Sequence, residues 1–383
     1  MPLRVEQLLD EAVRATGLDD FGDPSFRVGL EMLVASLVDE AALTDLGAAI
    51  AARQLTGWLT ARLRVEDHWH ARPELDAERV ERPVCILGMS RSGTTALSHL
   101  LARDPANRSL LGWEASEPIP PPRAESWATD PRFEVARAQE FGAMHELNPE
   151  FAAIHHDPPD LPVECVVIMA QHFVSLSPAA QYVIPTYTRW LLDLDHRPVY
   201  AWHDRVLRVL QSGGVRGRWQ LKSPHHALAL DALDAQYPDA RFVVTHRDPA
   251  VCVASTASLV RSLSGTFAHG GRERELGELW SEVLATMTDR LVAARTRLGE
   301  DRFVDVAYSD LVADPVGTAQ RIYAALEWAF TDAAADAMIA HANVAVPGRH
   351  GRHTYRPGDF ALDRDALAER FAAYRARFAE YLA

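Results

Sequence analysis

The amino-acid sequence predicts an α/β protein with a P-loop-like core, in which a mainly parallel sheet is flanked by helices. Four short apolar runs each lead into a turn and then into a helical pattern, an alternation that is typical of doubly wound sheets. The first run is also followed by a glycine-bounded loop at residues 88–95. The four predicted strands are PVCIL (83–87), RWQLK (218–222), RFVVTH (241–246) and RFVDVAY (302–308).

Helical patterns surround this predicted core in the sequence. Residues 1–80 carry apolar residues at three- and four-residue spacing, so we expect a helical N-terminal extension. The α/β domain then covers 81–383, with a mostly helical insertion at about 112–217 that proline clusters interrupt. An amphipathic pattern over 364–382 predicts a closing helix. The composition does not decide whether the extension forms a homodimer or closes a pocket.

The composition excludes several classes of protein. The chain has 383 residues and a formal net charge of −14, whereas nucleic-acid-binding domains are normally basic. We find no signal peptide, and no stretch reaches the ~18 consecutive apolar residues that a membrane-spanning helix needs. Cys85, Cys165 and Cys252 form neither a disulfide framework nor a metal-ligand spacing. We therefore expect a cytoplasmic protein without a metal, with Cys85 and Cys252 buried.

The loop after the first strand has the composition of an anion cradle. A strand, a tight turn and a helix N-terminus together direct backbone N–H groups at one point, where the helix dipole adds partial positive charge. Gly88 and Gly93 allow the backbone to approach an anion closely, and Arg91 adds a forked cation. The available hydroxyl groups are those of Ser92, Thr94 and Thr95.

The sequence GMSRSGTT resembles the 5′-phosphosulfate-binding loop of PAPS-dependent sulfotransferases, in the variant with Arg-Ser-Gly-Thr-Thr. A P-loop kinase carries a lysine where Thr94 stands, because lysine and Mg²⁺ offset the charge on the β- and γ-phosphates. A cofactor with a single 5′-phosphate bearing a sulfonate has less charge to neutralise. The resemblance implies PAPS as the donor, no metal, and donor contacts from Arg91, Ser92, Gly93, Thr94 and Thr95.

A second motif lies at residues 241–259, where Arg247 follows a strand and Ser255 comes eight residues later. A guanidinium at the end of a strand and a hydroxyl near the start of a helix can converge on one phosphate. Sulfotransferases use an Arg and a Ser at this separation for the 3′-phosphate of the cofactor, which the resemblance implies here. Asp248 and Pro249 also fit a helix cap and a first helical position.

Lys222 ends a predicted strand at the same edge of the sheet as the two motifs. In the family that the chain resembles, a lysine at this strand end contacts the transferring sulfonate. A lysine here can offset charge that grows on the bridging oxygen as the S–O bond breaks. The alternative is an ordinary surface lysine.

The general base is less clearly marked in the sequence. An alcohol or phenol acceptor loses a proton during attack, and a Glu or His usually accepts it. Glu114 precedes a proline-rich turn at the point where sulfotransferases with this loop often place a catalytic Glu, so the resemblance favours it. His155 and His156 are the competing candidates, because another branch of the family uses a histidine after the cradle.

Two weaker elements extend the resemblance to the C-terminal third of the chain. Tyr308, after the last predicted strand, matches a family tyrosine near the adenine. Arg349 and Gly351 match a basic segment that closes over the 3′-phosphate, although His350 replaces its usual lysine. Such a loop is also typical of a mobile lid.

The expected activity is sulfonate transfer from PAPS to a hydroxyl or amine of a small-molecule acceptor. In this scheme Glu114 accepts the proton, while Arg91 and Lys222 stabilise negative charge. Aromatic residues in the insertion suit an apolar acceptor, but aromatic residues at helical spacing are often core. Two alternatives stay open: a P-loop small-molecule kinase, and a nucleotide-binding protein without catalytic activity.

Overall fold

A computed structural model describes residues 3–138, 146–148, 159–344 and 356–382. Its centre is a five-stranded sheet with the order β2-β3-β1-β4-β5, in which neighbouring strands run parallel. The predicted α/β class is therefore confirmed. The strands are β1 (Val84–Gly88), β2 (Asn107–Ser109), β3 (Arg218–Lys222), β4 (Arg241–His246) and β5 (Phe303–Ala307).

The sheet reverses its winding direction at β1. This strand pairs with β3 on one side, where Ile86 is aligned with Lys222, and with β4 on the other, where Gly88 is aligned with Thr245. The carboxyl ends of the three central strands therefore meet at one edge. Ligands of doubly wound sheets bind in the crevice at such a switch point.

Helices cover the sheet and extend beyond it at the N-terminus. The first group is α1 (Val5–Thr16), α2 (Phe26–Asp39), α3 (Asp45–His70), α4 (Thr94–Leu101), α5 (Gly112–Ser116), α6 (Pro131–Ala136), α7 (Val166–Ala170), α8 (Leu176–Gln181) and α9 (Pro185–Asp193). The second group is α10 (Arg197–Ser212), α11 (Leu230–Gln236), α12 (Pro249–Phe267), α13 (Glu273–Leu298), α14 (Tyr308–Ala313), α15 (Pro315–Ala325), α16 (Asp332–Val344), α17 (Arg364–Arg370) and α18 (Ala372–Arg377). Short 3₁₀ turns include Pro73–Ala77 and Pro224–Leu228.

The apolar strands divide their side chains between two core clusters. Successive residues of a strand point to opposite faces, so Cys85 and Leu87 join one cluster while Val84 and Ile86 join the other. The larger cluster also includes Leu55 of α3, which places the N-terminal helices in the same core as the sheet. The three cysteines are all buried, as expected for Cys85 and Cys252.

The N-terminal helices are joined tightly to α12. The backbone N–H and the hydroxyl of Thr44, the cap of α3, both donate to the carbonyl of Phe267, at 3.0 and 3.1 Å. A Cβ on Gly47 would lie 1.9 Å from that same carbonyl oxygen, so this close approach of the two elements requires glycine.

Two elements differ from the sequence prediction. β2 was not predicted, because its residues Asn107–Ser109 are polar and form a short edge strand. The predicted closing helix is interrupted at Phe371, which lets Tyr374 and Phe378 pack on the His246 ring at centroid distances of 5.7 and 4.3 Å. Among the described helices, none has the length and apolar character needed to span a membrane.

Candidate functional site

A cavity of about 1210 Å³ opens at the carboxyl edge of the sheet. One side is polar and comes from the segments after β1, β3, β4 and β5 and from the segment before α7: Ser90, Arg91, Gly93, Thr94, Thr95, Glu164, His225, Arg247 and Tyr308. The other side comes from α3, α8 and α12 and is mostly apolar: Ile50, Trp58, Leu176, Leu259, Leu263 and Phe267. The N-terminal extension therefore forms part of the cavity wall.

The loop after β1 has a backbone that only certain residues tolerate. Gly88 and Gly93 have φ of 147° and 100°, and a Cβ at either position would lie within 3.0 Å of a neighbouring atom. Arg91 also adopts a positive φ, 69°, which is costly for a side chain that is not glycine. The buried Ser92 hydroxyl holds this shape, because it donates to the Met89 carbonyl at 2.6 Å and lies 2.6 Å from the Thr245 hydroxyl.

The start of α4 faces the cavity. Its cap is Gly93, which offers no side-chain acceptor to the N–H groups of the first turn. Thr94 and Thr95 line the cavity at this point, whereas Ser92 points into the loop itself. The Ser92 hydroxyl thus has a structural role in the loop, and the helix N-terminus and the two threonines have the geometry of an anion cradle. The contact of Ser92 with the donor stays a prediction.

The two predicted arginines lie side by side. Arg247 Nη1 donates to the Arg91 carbonyl at 2.9 Å, and Arg91 Nε donates to the Ser255 hydroxyl at 3.2 Å. The Arg247 guanidinium also stacks on the Tyr308 ring, 4.0 Å from its centroid. The two motifs are more than 150 residues apart in the sequence, and the fold brings their arginines together at one wall of the cavity.

An ion pair lies at the end of β3. The buried Lys222 ammonium donates to the Thr95 hydroxyl and to Glu164 Oε1, both at 3.1 Å. Glu164 lines the cavity with a quarter of its side chain exposed. The N–H of Cys165 donates to the Lys222 carbonyl at 2.9 Å, which fixes the carboxylate beside the strand end.

Comparison with known proteins decides the family. The profile of the sulfotransferase family matches residues 83–332, more than half of the chain. The chain belongs to the sulfotransferase family. The resemblance expected from the Arg-Ser-Gly-Thr-Thr loop is confirmed.

Solved sulfotransferases share almost the whole fold. Sulfotransferase STF1 from Mycobacterium tuberculosis H37Rv is 34% identical with a TM-score of 0.86, over 97% of this chain and 99% of that one. Sulfotransferase STF9 from Mycobacterium avium is 31% identical with a TM-score of 0.89, over 98% and 96% of the two chains. Because these alignments extend over nearly the full length, the N-terminal helices are part of the shared fold.

Curated relatives match a smaller part of this chain. Omega-hydroxy-beta-dihydromenaquinone-9 sulfotransferase Stf3 from Mycobacterium bovis and from Mycobacterium tuberculosis is 29% identical over 249 residues. The match covers 63% of this chain and 61% of those relatives.

The structure places Glu114, the predicted general base, in a buried ion pair with Arg108. Its carboxylate is fully buried and accepts hydrogen bonds from Arg108 Nη1 at 2.7 Å and Nη2 at 2.6 Å. The N–H of Leu111 donates to the same group at 2.9 Å. Glu114 is not among the residues that line the cavity, and its hydrogen bonds stabilise the turn after β2. Its role as the general base stays a prediction.

Glu11, Glu117 and Glu164 are carboxylates that line the cavity, and Glu164 is the one paired with Lys222. The sequence gives no local signal for Glu164, because its position depends on the hydrogen bond between Cys165 and Lys222, residues 57 positions apart. His225 is a further titratable residue of the wall, and burial lowers its pKa well below the ordinary histidine value. His155, His156, Arg349, His350 and Gly351 lie outside the described residues, and their predicted roles stay predictions.

Proposed function

We propose that this protein transfers a sulfonate group from PAPS to a hydroxyl group of a small molecule with an apolar body. The observation that carries this proposal is the convergence of the loop at 88–95, Arg247 and the Lys222–Glu164 pair on one cavity. Membership of the sulfotransferase family supports the reaction type and opposes the kinase alternative. A cytoplasmic location stays part of the proposal.

The residues of the wall fit PAPS. The cradle at the start of α4 suits its 5′-phosphosulfate, and Arg247 with Ser255 suits its 3′-phosphate. A Cβ on Gly93 would lie 2.9 Å from the Tyr308 ring, so the cradle is shaped around a residue without a side chain. When bound, PAPS supplies the activated sulfonate. The single phosphate at its 5′ end needs neither the P-loop lysine nor Mg²⁺.

We propose Glu164 as the general base in place of Glu114. It is a cavity carboxylate beside the cradle, where an acceptor hydroxyl can place its proton within hydrogen-bond distance. Lys222 and Arg91 add positive charge on the side of the cradle, where an oxygen that becomes negative is stabilised. His225 is the weaker candidate, because a strongly lowered pKa makes its imidazole a poor proton acceptor.

The apolar side of the cavity indicates the acceptor class. Trp58 of α3, Leu176 of α8 and Leu263 of α12 face the same space as Glu164. Pockets of this kind bind an apolar body and orient it through a few polar groups. The curated relatives are named for a hydroxylated menaquinone derivative, and we propose a hydroxylated lipid-like or aromatic acceptor here.

A transfer assay tests this function. Labelled PAPS is incubated with hydroxylated apolar acceptors and, in parallel, with short polar alcohols, while ATP with Mg²⁺ serves as the kinase control. We expect transfer to apolar acceptors and a loss of about 100-fold or more in kcat for Glu164→Gln. His225→Gln is the matched control and retains most of the rate. Wild-type kcat in Glu164→Gln contradicts the base, and phosphate transfer from ATP contradicts the function.

A further inference from the structure

A cluster of sulfur and imidazole groups lies in the core behind the cavity wall. Cys165, His203 and His226 each present one potential ligand atom, and these three atoms lie within 4.8 Å of one another. All three residues are completely buried. They come from separate segments, just before α7, within α10 and in the 3₁₀ turn after β3, so the fold brings them together.

Tyrosine hydroxyls hold the outer nitrogen of both histidines. His203 Nδ1 lies 2.8 Å from the Tyr237 hydroxyl, which is hydrogen-bonded in turn to Asp204. His226 Nδ1 lies 2.8 Å from the Tyr200 hydroxyl. A histidine that binds a metal usually donates its other ring nitrogen to such a partner, which fixes the tautomer and the ring.

The second ring nitrogen of each histidine, Nε2, is not held by a tyrosine. Among the described residues, neither His203 Nε2 nor His226 Nε2 has a hydrogen-bond partner. Buried polar atoms of this kind are unfavourable and normally indicate a missing partner. In the tautomer in which Nδ1 donates to the tyrosine oxygen, each Nε2 keeps a lone pair, and Cys165 offers its sulfur in the same space.

We propose that Cys165, His203 and His226 form a three-ligand site for a soft d¹⁰ metal ion, of which Cu⁺ fits best. Thiolate and imidazole are the ligands that Cu⁺ and Zn²⁺ select, whereas Mg²⁺ and Ca²⁺ prefer oxygen. This site is separate from the sulfonate chemistry and does not depend on the proposed function. It replaces the expectation that the chain binds no metal.

Charge balance favours Cu⁺ over Zn²⁺. The two imidazoles bind a metal as neutral ligands, and the thiol binds it as a thiolate. Binding therefore forms a metal–sulfur bond and releases one proton to solvent. Cu⁺ with one thiolate is neutral, whereas Zn²⁺ would leave a buried net charge.

The site has a structural consequence for the cavity. Cys165 follows Glu164 directly, and its N–H donates to the carbonyl of Lys222. A metal ion at Cys165 would therefore link α10 and the turn after β3 to the segment that carries the cavity carboxylate. His225, which directly precedes His226 in the sequence, lines the cavity.

Competitive metal titration of the full-length, reduced protein tests this site. Cu⁺ is titrated without oxygen against a chromophoric Cu⁺ chelator, and Zn²⁺ against a zinc indicator. We expect one Cu⁺ per chain, with one proton released per ion. The variants Cys165→Ser and His203→Gln should bind at least about tenfold more weakly. Cys252→Ser and His172→Gln replace buried residues outside the cluster and should bind as the wild type does.

The outcomes separate the possibilities. Unchanged binding in Cys165→Ser, or no bound metal in the wild type, overturns the proposal. The three residues are then neutral side chains of the core that bind no metal. If the wild type binds Zn²⁺ tightly and the same variants do not, the site is supported and its ion is Zn²⁺ instead of Cu⁺. If the variants do not fold, X-ray absorption of the wild-type complex decides. One sulfur and two nitrogen ligands support the site, and any shell without sulfur overturns it.

Discussion

Gly93 shows how a single residue shapes the candidate donor site. Its φ is 100°, and an added Cβ would lie 2.9 Å from the Tyr308 ring on which Arg247 stacks. We expect Gly93→Ala to weaken binding of adenosine 3′,5′-bisphosphate by about tenfold or more, because the substitution displaces Tyr308 and strains the loop. Calorimetric titration measures this. The control is Gly265→Ala, where an added Cβ meets open space. Equal losses in both variants contradict the account.

The Glu114–Arg108 pair allows a structural role of Glu114 to be distinguished from a catalytic role. Their side chains are almost completely buried and paired at 2.6 Å, so removing one charge leaves the other uncompensated. We expect Glu114→Gln to lower the free energy of unfolding by about 3–5 kcal/mol. The folded fraction should still transfer sulfonate at a rate near wild type. Denaturant unfolding and the transfer assay measure the two effects. Wild-type stability with a much slower reaction would restore Glu114 as the base.

At the same scale, the sequence indicated the residues that meet at the carboxyl edge of the sheet more clearly than it indicated Glu164. The loop at 88–95 and the pair Arg247 and Ser255 are local motifs, and the sheet brings them to one edge because both follow central strands. Glu164 has no such local signal, since its position depends on long-range backbone pairing with β3. The resemblance favours Glu114. The sequence does not indicate that the neighbouring Arg108 binds the Glu114 carboxylate.

At the scale of elements, α3 links the N-terminal extension to the cavity. The first turn of α3 packs against the carbonyl of Phe267 so closely that only glycine fits at position 47. We expect Gly47→Ala to raise KM for the acceptor several-fold by shifting the wall that carries Trp58, with little change in the affinity for adenosine 3′,5′-bisphosphate. Steady-state kinetics and nucleotide titration separate the two. Gly265→Ala on α12 is the control. A lower nucleotide affinity with unchanged KM contradicts this role.

The strands were predicted to within one or two residues because buried parallel strands are continuous apolar runs with turns after them. β2 differs, because its three polar residues at the sheet edge do not form an apolar run that predicts a strand. The break at Phe371 was missed for a different reason. It depends on the packing of Tyr374 and Phe378 against His246, a contact across more than 120 residues.

At the scale of the whole molecule, buried histidines predict acid sensitivity. Burial lowers the pKa of His172 and His226 to about 3 and that of His196 to about 4, whereas an unfolded histidine has a pKa of about 6.5. Between these values the unfolded chain binds more protons than the folded one. Stability is therefore complete above pH ~6.5 and decreases as the pH falls, by up to about 1.4 kcal/mol per pH unit for each histidine.

Thermal denaturation of the metal-free protein from pH 7.5 to 5 tests this expectation. The melting temperature should be nearly constant above pH ~6.5 and decrease below it, before the carboxylates begin to titrate. In His172→Gln the side chain at position 172 does not titrate in this range, so the melting temperature of this variant should decrease less steeply. A melting temperature that rises as the pH falls through 6 contradicts the assignment of neutral buried histidines.

The N-terminal helices and the sheet domain share one apolar core, which runs from Leu8 through Leu55 to Phe242. The cavity lies where these two parts meet, so the cradle comes from the sheet and the apolar wall comes largely from helices. The described walls of the cavity thus come from both the N-terminal helices and the sheet domain. This arrangement agrees with the nearly full-length similarity to STF1 and STF9.

The most direct test compares the affinities for adenosine 3′,5′-bisphosphate and adenosine 5′-monophosphate. If the loop at 88–95 and Arg247 bind opposite ends of one nucleotide, the wild type should bind the bisphosphate at least about tenfold more tightly. Arg247→Ala should reduce this ratio to nearly one and leave the monophosphate affinity almost unchanged, with the exposed Arg274→Ala as the control. An unchanged ratio in Arg247→Ala would contradict the account.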